Sequence, residues 1–125
     1  MKLLSIIIAT YNAGNTLNTC LTSIVEQKSS EIELLIIDGG STDNTLDIAH
    51  SYGDKIDVLI SEPDKGIYDA WNKGISYSTG HWIMFIGADD ILVDNSLLPY
   101  MQYVHQKSCL NYDIITACAY FVDLK

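Results

Sequence analysis

Arginine is absent from these 125 residues: the seven basic side chains are all lysines, set against sixteen acids for a net charge of −9. Such a field repels phosphate backbones and anionic bilayers at long range, which argues against nucleic acid as a partner and against polybasic attachment to a membrane. A small anionic ligand remains compatible with it where backbone amides, a helix N-terminus or a divalent cation neutralise the charge locally. No apolar run approaches bilayer-spanning length. The stretch from Leu3 to Ala9 is short and lacks a small-residue cleavage site, so neither a transmembrane segment nor a signal peptide is expected. Cys20, Cys109 and Cys118 are odd in number and share no C-x-x-C spacing, which fits reduced core thiols in a cytoplasmic protein better than a disulfide frame or a zinc site. His50, His81 and His105 stand far apart without ligand spacing, and no Ser/His/Asp or Cys/His set can be assembled. Tracts rich in proline, glycine or serine are missing too, as are charge blocks, so disorder is not expected.

What is present is a chain that is 48% apolar and long enough for one core, hence one domain over residues 1–125. Apolar runs recur at Leu4–Ala9, Glu33–Ile37, Ile56–Ile60, Trp82–Ile86 and Ile114–Ala117, read as five buried strands. Between them lie stripes at helical spacing: Leu17, Leu21, Ile24 and Val25; Leu46, Ile48, Ala49 and Tyr52; Ile67, Ala70, Trp71 and Ile75; Leu97, Leu98, Met101 and Val104. Strands alternating with amphipathic helices imply an α/β fold, a mostly parallel sheet flanked by helices. Ligands of such sheets bind where strands end and helix N-termini point inward. The unusual polar clusters all fall there: residues 10–15, 38–43, 61–66 and 87–90.

Each cluster has a functional and an ordinary reading. Asp38 ends the second apolar run and would emerge at the sheet edge, free to accept a hydrogen bond from a base or ribose; yet Asp38-Gly39-Gly40-Ser41-Thr42-Asp43 equally spells a turn, with Ser41 or Thr42 capping the next helix and Asp43 in its first turn. The loop is no dinucleotide fingerprint, since G-x-G-x-x-G is absent. Asp89 and Asp90 follow the fourth run as adjacent carboxylates that repel one another unless a cation or donors compensate, and Mg²⁺ or Mn²⁺ bridging them to phosphate oxygens would do so; solvated loop acids are the plain alternative. Residues 66–74 read as a helix ending at Gly74 as its C′ residue, with Asp69, Asn72 and Lys73 able to share a face and, with Lys65, to meet ribose and phosphate. Tyr11, directly after the first strand, is placed to stack on a base, although core aromatics are the commoner case.

Taken together, residues 5–12 (Ser-Ile-Ile-Ile-Ala-Thr-Tyr-Asn), 36–45 (Ile-Ile-Asp-Gly-Gly-Ser-Thr-Asp-Asn-Thr), 62–74 (Glu-Pro-Asp-Lys-Gly-Ile-Tyr-Asp-Ala-Trp-Asn-Lys-Gly) and 87–90 (Gly-Ala-Asp-Asp) resemble the successive motifs of family 2 glycosyltransferases in order and spacing, over nearly the whole stretch from Leu4 to Leu98. The resemblance implies a Rossmann-like glycosyltransferase A fold, truncated here, whose N-terminal half binds a nucleoside-diphosphate sugar, UDP-linked by preference, with dTDP and GDP also able to pair with a carboxylate. It implies that Thr10, Tyr11 and Asn12 border the nucleotide, that Asp38 accepts from an imide N–H, that Asp69 and Lys73 lie near ribose and diphosphate, that Asp89 touches ribose or metal, and that Asp90 is the ligand of a Mg²⁺ or Mn²⁺ cofactor. A glycan or lipid-linked acceptor, inversion at the anomeric carbon and a cytoplasmic location, with the inner membrane face as a peripheral position, follow from the same likeness. Two departures stand out. Gly87 replaces an acid that many relatives carry, and the chain stops at Lys125, about where the acceptor half would begin. No residue matches the general base, so this stretch alone is expected to turn over poorly, and its last strand, Ile114–Val122, is expected to leave an edge prone to self-association. A receiver-type signalling domain shares the fold class, but its acid pair would follow the first strand; a non-catalytic nucleotide-binding module is the other alternative.

Overall fold

The computed structural model describes residues 2–107 and residue 114. Four parallel strands, β1 (Leu4–Thr10), β2 (Ile32–Asp38), β3 (Val58–Ser61) and β4 (Trp82–Gly87), form one sheet in the order β3-β2-β1-β4. Helices α1 (Leu17–Val25), α2 (Thr45–Ser51), α3 (Ile67–Tyr77) and α4 (Leu97–Lys107) connect or follow them, and a single 3-10 turn spans Gly53–Lys55. The chain winds outward from β1 to β3, then crosses back over the sheet to lay β4 on the other side of β1. The topological switch therefore falls between β1 and β4, where open α/β sheets bind ligands.

Alternation along the strands sorts two cores. Leu4, Ile6, Ile8, Leu34, Ile36 and Ile86 meet α1, α2 and α4 on one face. Ile7, Leu35 and Ile37 meet α3 on the other. Central strands covered on both faces must be apolar throughout, which is why β1 and β2 read as unbroken runs. β3 and β4, expected to be buried, are only partly so. They flank the sheet among the described residues, and Ile83 and Phe85 remain 36% and 40% exposed on the α3 side of β4. Ile56 and Asp57 also lie outside β3. Asp57 instead accepts a hydrogen bond from the Leu34 N–H at 2.7 Å and pairs with Lys28 at 2.8 Å. The fifth strand expected at Ile114–Ala117, and the edge expected at Ile114–Val122, lie outside the described residues except for Ile114, which has no regular structure.

Helix α3 departs from its sequence reading in two ways. It runs on to Tyr77 instead of ending at Gly74, and the side it buries centres on Ala70 and Gly74 while Ile67 and Ile75 stay exposed. The reason is close approach: a Cβ on Gly74 would stand 2.5 Å from Ile7 Cγ2, in the middle of β1. Gly74→Ala gains about 1 kcal/mol of helix propensity but forces apart a well-packed contact at about 1–3 kcal/mol. Net destabilisation is expected in urea unfolding, whereas a helix-ending glycine elsewhere on the surface would show little change.

At the N-terminal end of the sheet a buried carboxylate ties three segments together. Glu33 accepts from Ser5 Oγ, from the Thr79 N–H and hydroxyl, and from the Gly80 N–H, fixing the turn that launches β4. Burial pushes its carboxyl up, but the hydrogen bonds from Ser5, Thr79 and Gly80 outweigh burial and hold it below the ordinary glutamate value of 4.5. A depressed carboxyl contributes stability that is fully present above the unfolded-state value and is lost as pH falls through the folded one. Thermal stability is thus expected to decline below about pH 4.5. Glu33→Gln should be less stable at neutral pH and show a shallower decline; an identical slope in the two proteins would remove Glu33 from the account.

Candidate functional site

Three of the four strands end on a side chain that joins one cluster. Register sets Thr10 beside Asp38 and Asp38 beside Ser61, and the three side chains meet across the sheet edge. Asp38 is wholly buried. Its Oδ1 accepts from Thr10 Oγ1 at 2.8 Å and from Ser41 Oγ; its Oδ2 accepts from Ser61 Oγ at 2.8 Å and from the N–H groups of Gly40 and Ser41 at 3.0 and 2.9 Å. Burial raises this carboxyl, and the bonds from Ser41, Thr10 and Ser61 more than offset it, holding it below the ordinary aspartate range. Five donors saturate the lone pairs of a carboxylate. Asp38 therefore does not stand free at the edge as the sequence suggested. It holds the β2–α2 loop in shape, with Gly40 at φ +88° making the turn that aims two N–H groups inward.

Asn12 does comparable work from the neighbouring loop. At φ +48°, a conformation asparagine tolerates, its Oδ1 accepts from the Thr42 and Asp43 N–H groups at 2.9 and 3.3 Å, and its own N–H donates to Ser41 Oγ. The Ala13 and Gly14 N–H groups reach Thr45 Oγ1 and Asp43 Oδ2. Asp43 also accepts from the Thr45 N–H, and α2 begins after Asn44, so the cap lies further along than the Ser41 or Thr42 expected. Thr10 points into this network and is buried, whereas Tyr11 is 67% exposed, its ring uncovered beside it.

The Glu62-Pro63-Asp64 loop packs over Gly39 and Gly40. Lys73 holds it there, with its ammonium 3.0 Å from Glu62, 3.2 Å from the Pro63 carbonyl and 3.7 Å from Asp69. The bond to Glu62 raises the Lys73 ammonium above the ordinary lysine value; burial opposes it, and the fields of Asp69, Glu62 and Asp64 add to the rise. Asp69 accepts from the Lys65 N–H at 2.9 Å. Asp69 and Lys73 are thus brought together as expected, and their contacts are to the loop that leads into α3. The Lys65 side chain is exposed and makes no ion pair among the described residues.

After β4, Gly87, Asp89 and Asp90 form a tight turn. The Asp90 N–H donates to the Gly87 carbonyl at 3.0 Å and the Gly87 N–H to Asp90 Oδ2 at 2.8 Å. The point where a Cβ on residue 87 would stand lies 2.9 Å from Asp89 Oδ1 and 3.0 Å from Asp90 Oδ2, so the two carboxylates converge over the bare glycine. A Cβ at 87 would crowd both carboxylates and oblige them to shift. Behind the turn the Cys20 thiol donates to the Gly87 carbonyl at 3.5 Å. Burial first, then the charges of Asp90 and Asp89, push that thiol up to about 12. Cys20 is therefore an unreactive packing group at the back of a strongly negative turn. Among the described residues no three His, Cys, Asp or Glu side chains gather round one point. A hard divalent ion is nonetheless commonly held by one or two carboxylates, with phosphate and water completing its shell, and the Asp89–Asp90 turn fits that pattern.

Sequence reasoning assigns no separate role to Ser61 or Asp64, and it places Cys20 in the core, as found, without its contact to Gly87. Ser61 was detectable, since aligning the last residue of each apolar run puts Thr10, Asp38 and Ser61 side by side. Contacts of Cys20 with a loop 67 residues away leave no local signal.

A parallel sheet with its switch point at β1/β4, and with carboxylates and a clamped loop at the strand ends, matches the Rossmann-like glycosyltransferase A fold. The backbone superposes on S. aureus TarS 1-349 in complex with UDP with a TM-score of 0.77 at 26% identity, over 86% of this chain and 33% of that one. The chain belongs to glycosyl transferase family 2, whose model matches residues 5–121. It is 44% identical over 98 residues to a PGL/p-HBAD biosynthesis glycosyltransferase of Mycobacterium bovis (strain BCG / Pasteur 1173P2), covering 75% of this chain and 38% of that protein. It is 33% identical over 109 residues to the glycosyltransferase GlyG of Streptococcus pneumoniae serotype 4, covering 85% and 36%. The chain thus spans little more than a third of the length of these relatives. The membership removes the receiver-domain alternative.

Proposed function

We propose that residues 1–125 form the nucleotide-diphospho-sugar-binding part of a glycosyltransferase that moves a sugar from a UDP-linked donor to an acceptor hydroxyl, with inversion and with a divalent cation. The convergence of Asp89 and Asp90 over Gly87, next to the β1/β4 switch, carries this reading. The UDP complex of the 26%-identical TarS fragment supports the choice of nucleotide.

In this reading the base rests at the loop of Thr10, Tyr11 and Asn12, with the Tyr11 ring against its face. Asp38 acts on the nucleotide through the loop it holds. Asp69 and Lys73 fix the 62–66 loop and so place the free Lys65 ammonium for the diphosphate. Asp89 meets ribose or metal, and Asp90 would hold Mg²⁺ or Mn²⁺. When bound, that ion supplies positive charge to a departing diphosphate. Inversion requires the acceptor oxygen to bond to the anomeric carbon as the bond to the diphosphate oxygen breaks, with the acceptor proton passing to a base; none of the residues assigned above is that base. A glycan or lipid-linked hydroxyl is the proposed acceptor and the cytoplasm, including the inner membrane face, the proposed setting. No helix among the described residues is long and apolar enough to cross a membrane. Ile83 and Phe85 on β4 remain 36% and 40% exposed, although Phe85 stacks on Trp71, and this exposure supports association with further polypeptide, another copy included. The reading is tested by titrating UDP with and without Mn²⁺: binding that requires the ion supports it, and absence of binding in both conditions contradicts it.

A further inference from the structure

The saturation of Asp38 leaves the nucleotide base without the carboxylate expected to read it, and the fold provides another at the same place. Asp64, from the loop after β3, reaches across to Gly39, the residue following Asp38. Its Oδ2, Cγ and Oδ1 lie 2.7, 3.0 and 3.1 Å from where a Cβ on Gly39 would stand. The carboxylate thus occupies the space of a side chain at position 39, which would have to displace it. Gly39 is itself tied by its N–H to the Thr10 carbonyl at 2.9 Å, so Asp64 lies against the residue bonded to the strand end that leads into the exposed Tyr11.

The two oxygens of Asp64 differ. Oδ1 accepts from the Gly66 N–H at 3.0 Å, which orients the group. Oδ2 accepts no hydrogen bond among the described residues, and the side chain is half-buried. An oriented carboxylate with one free oxygen, packed against Gly39 whose N–H is bonded to the strand end leading into the exposed Tyr11, is matched to a flat base that presents a ring N–H. Asp38, with five donors on it, has no such oxygen.

We propose that Asp64, and not Asp38, is the residue that selects the base, its Oδ2 accepting from the ring N–H of uracil or thymine; the assignment rests on the nucleotide-sugar reading above. Cytosine presents a bare ring nitrogen at that position, and a carboxylate facing it repels it. Specificity then comes as much from the mismatch with cytosine as from the bond to uracil.

The test is calorimetric titration of UDP and CDP in Mn²⁺ with the protein and with Asp64→Asn. The asparagine keeps an oxygen for the Gly66 N–H and turns the free oxygen into an N–H donor, which suits cytosine and repels an imide. The protein is expected to bind UDP at least about tenfold more tightly than CDP, and the variant to lose or invert that preference. A residue that merely shapes the loop would weaken both ligands alike, so an unchanged UDP-to-CDP ratio in Asp64→Asn overturns the assignment while leaving the nucleotide-sugar reading intact. Failure of the unaltered protein to bind either diphosphate overturns that reading and the assignment with it.

Discussion

Asp38→Ala is expected to destabilise the protein by about 3–5 kcal/mol, the largest effect of any single polar substitution among the described residues, because it strands five donors in a buried site. Hydrogen bonds to a charged acceptor are worth more than neutral ones, and the groups left behind at Gly40, Ser41, Thr10 and Ser61 cannot all turn to solvent. For a domain of this size the melting temperature should fall by more than about 10 °C. Asp38→Asn keeps the volume and one acceptor but points an amide N–H at neighbouring donors, so it should fall between the parent and the alanine variant. Nucleotide affinity should fall in the same order, since the loop loses its shape. If Asp38 were instead a free acceptor for the base, both variants would lose affinity and keep their melting temperatures.

Asp90→Asn is expected to weaken Mn²⁺-dependent UDP binding by about 100-fold or more, roughly 2.7 kcal/mol, while leaving stability nearly unchanged. The turn itself survives the change, because an amide oxygen can still accept from the Gly87 N–H and the Asp90 N–H still donates to the Gly87 carbonyl. What disappears is one of two converging negative charges. Without metal the effect should reverse in sign: the parent's paired carboxylates repel a diphosphate, and removing one eases that repulsion. A variant that binds UDP in Mn²⁺ as tightly as the parent, and with the same dependence on the ion, would remove Asp90 from the metal site.

The α/β class, the parallel sheet and the four helices were legible because buried strands and amphipathic helices leave periodic traces in a sequence. The polar loops were legible as a set because they all follow apolar runs. The division of labour within those loops was hidden. Asp38 and Asp64 are both acids at strand ends, and nothing local distinguishes the one that five donors enclose from the one with a free oxygen. That distinction comes from register, which brings Thr10 and Ser61 to either side of Asp38, and from the glycine at 39, which admits Asp64 from another loop. Gly74 misled for a related reason. A glycine near the end of a helical stripe usually marks its terminus, but here the helix needs it to approach Ile7 and continues for another three residues. The same physics explains Gly87, whose missing side chain lets Asp89 and Asp90 fold over it. Strand burial was overestimated at β3 and β4 because apolar runs report the faces a strand can cover and say nothing of its place at the margin of the described sheet.

The most direct test of the central claim is calorimetric titration of the protein with UDP in the presence and absence of Mn²⁺. Saturable binding with one site, at least about tenfold tighter with the ion, is the result expected of a nucleotide-sugar site closed by the Asp89–Asp90 turn. Binding of equal strength in Mn²⁺ and in chelator, or none in either, would contradict it.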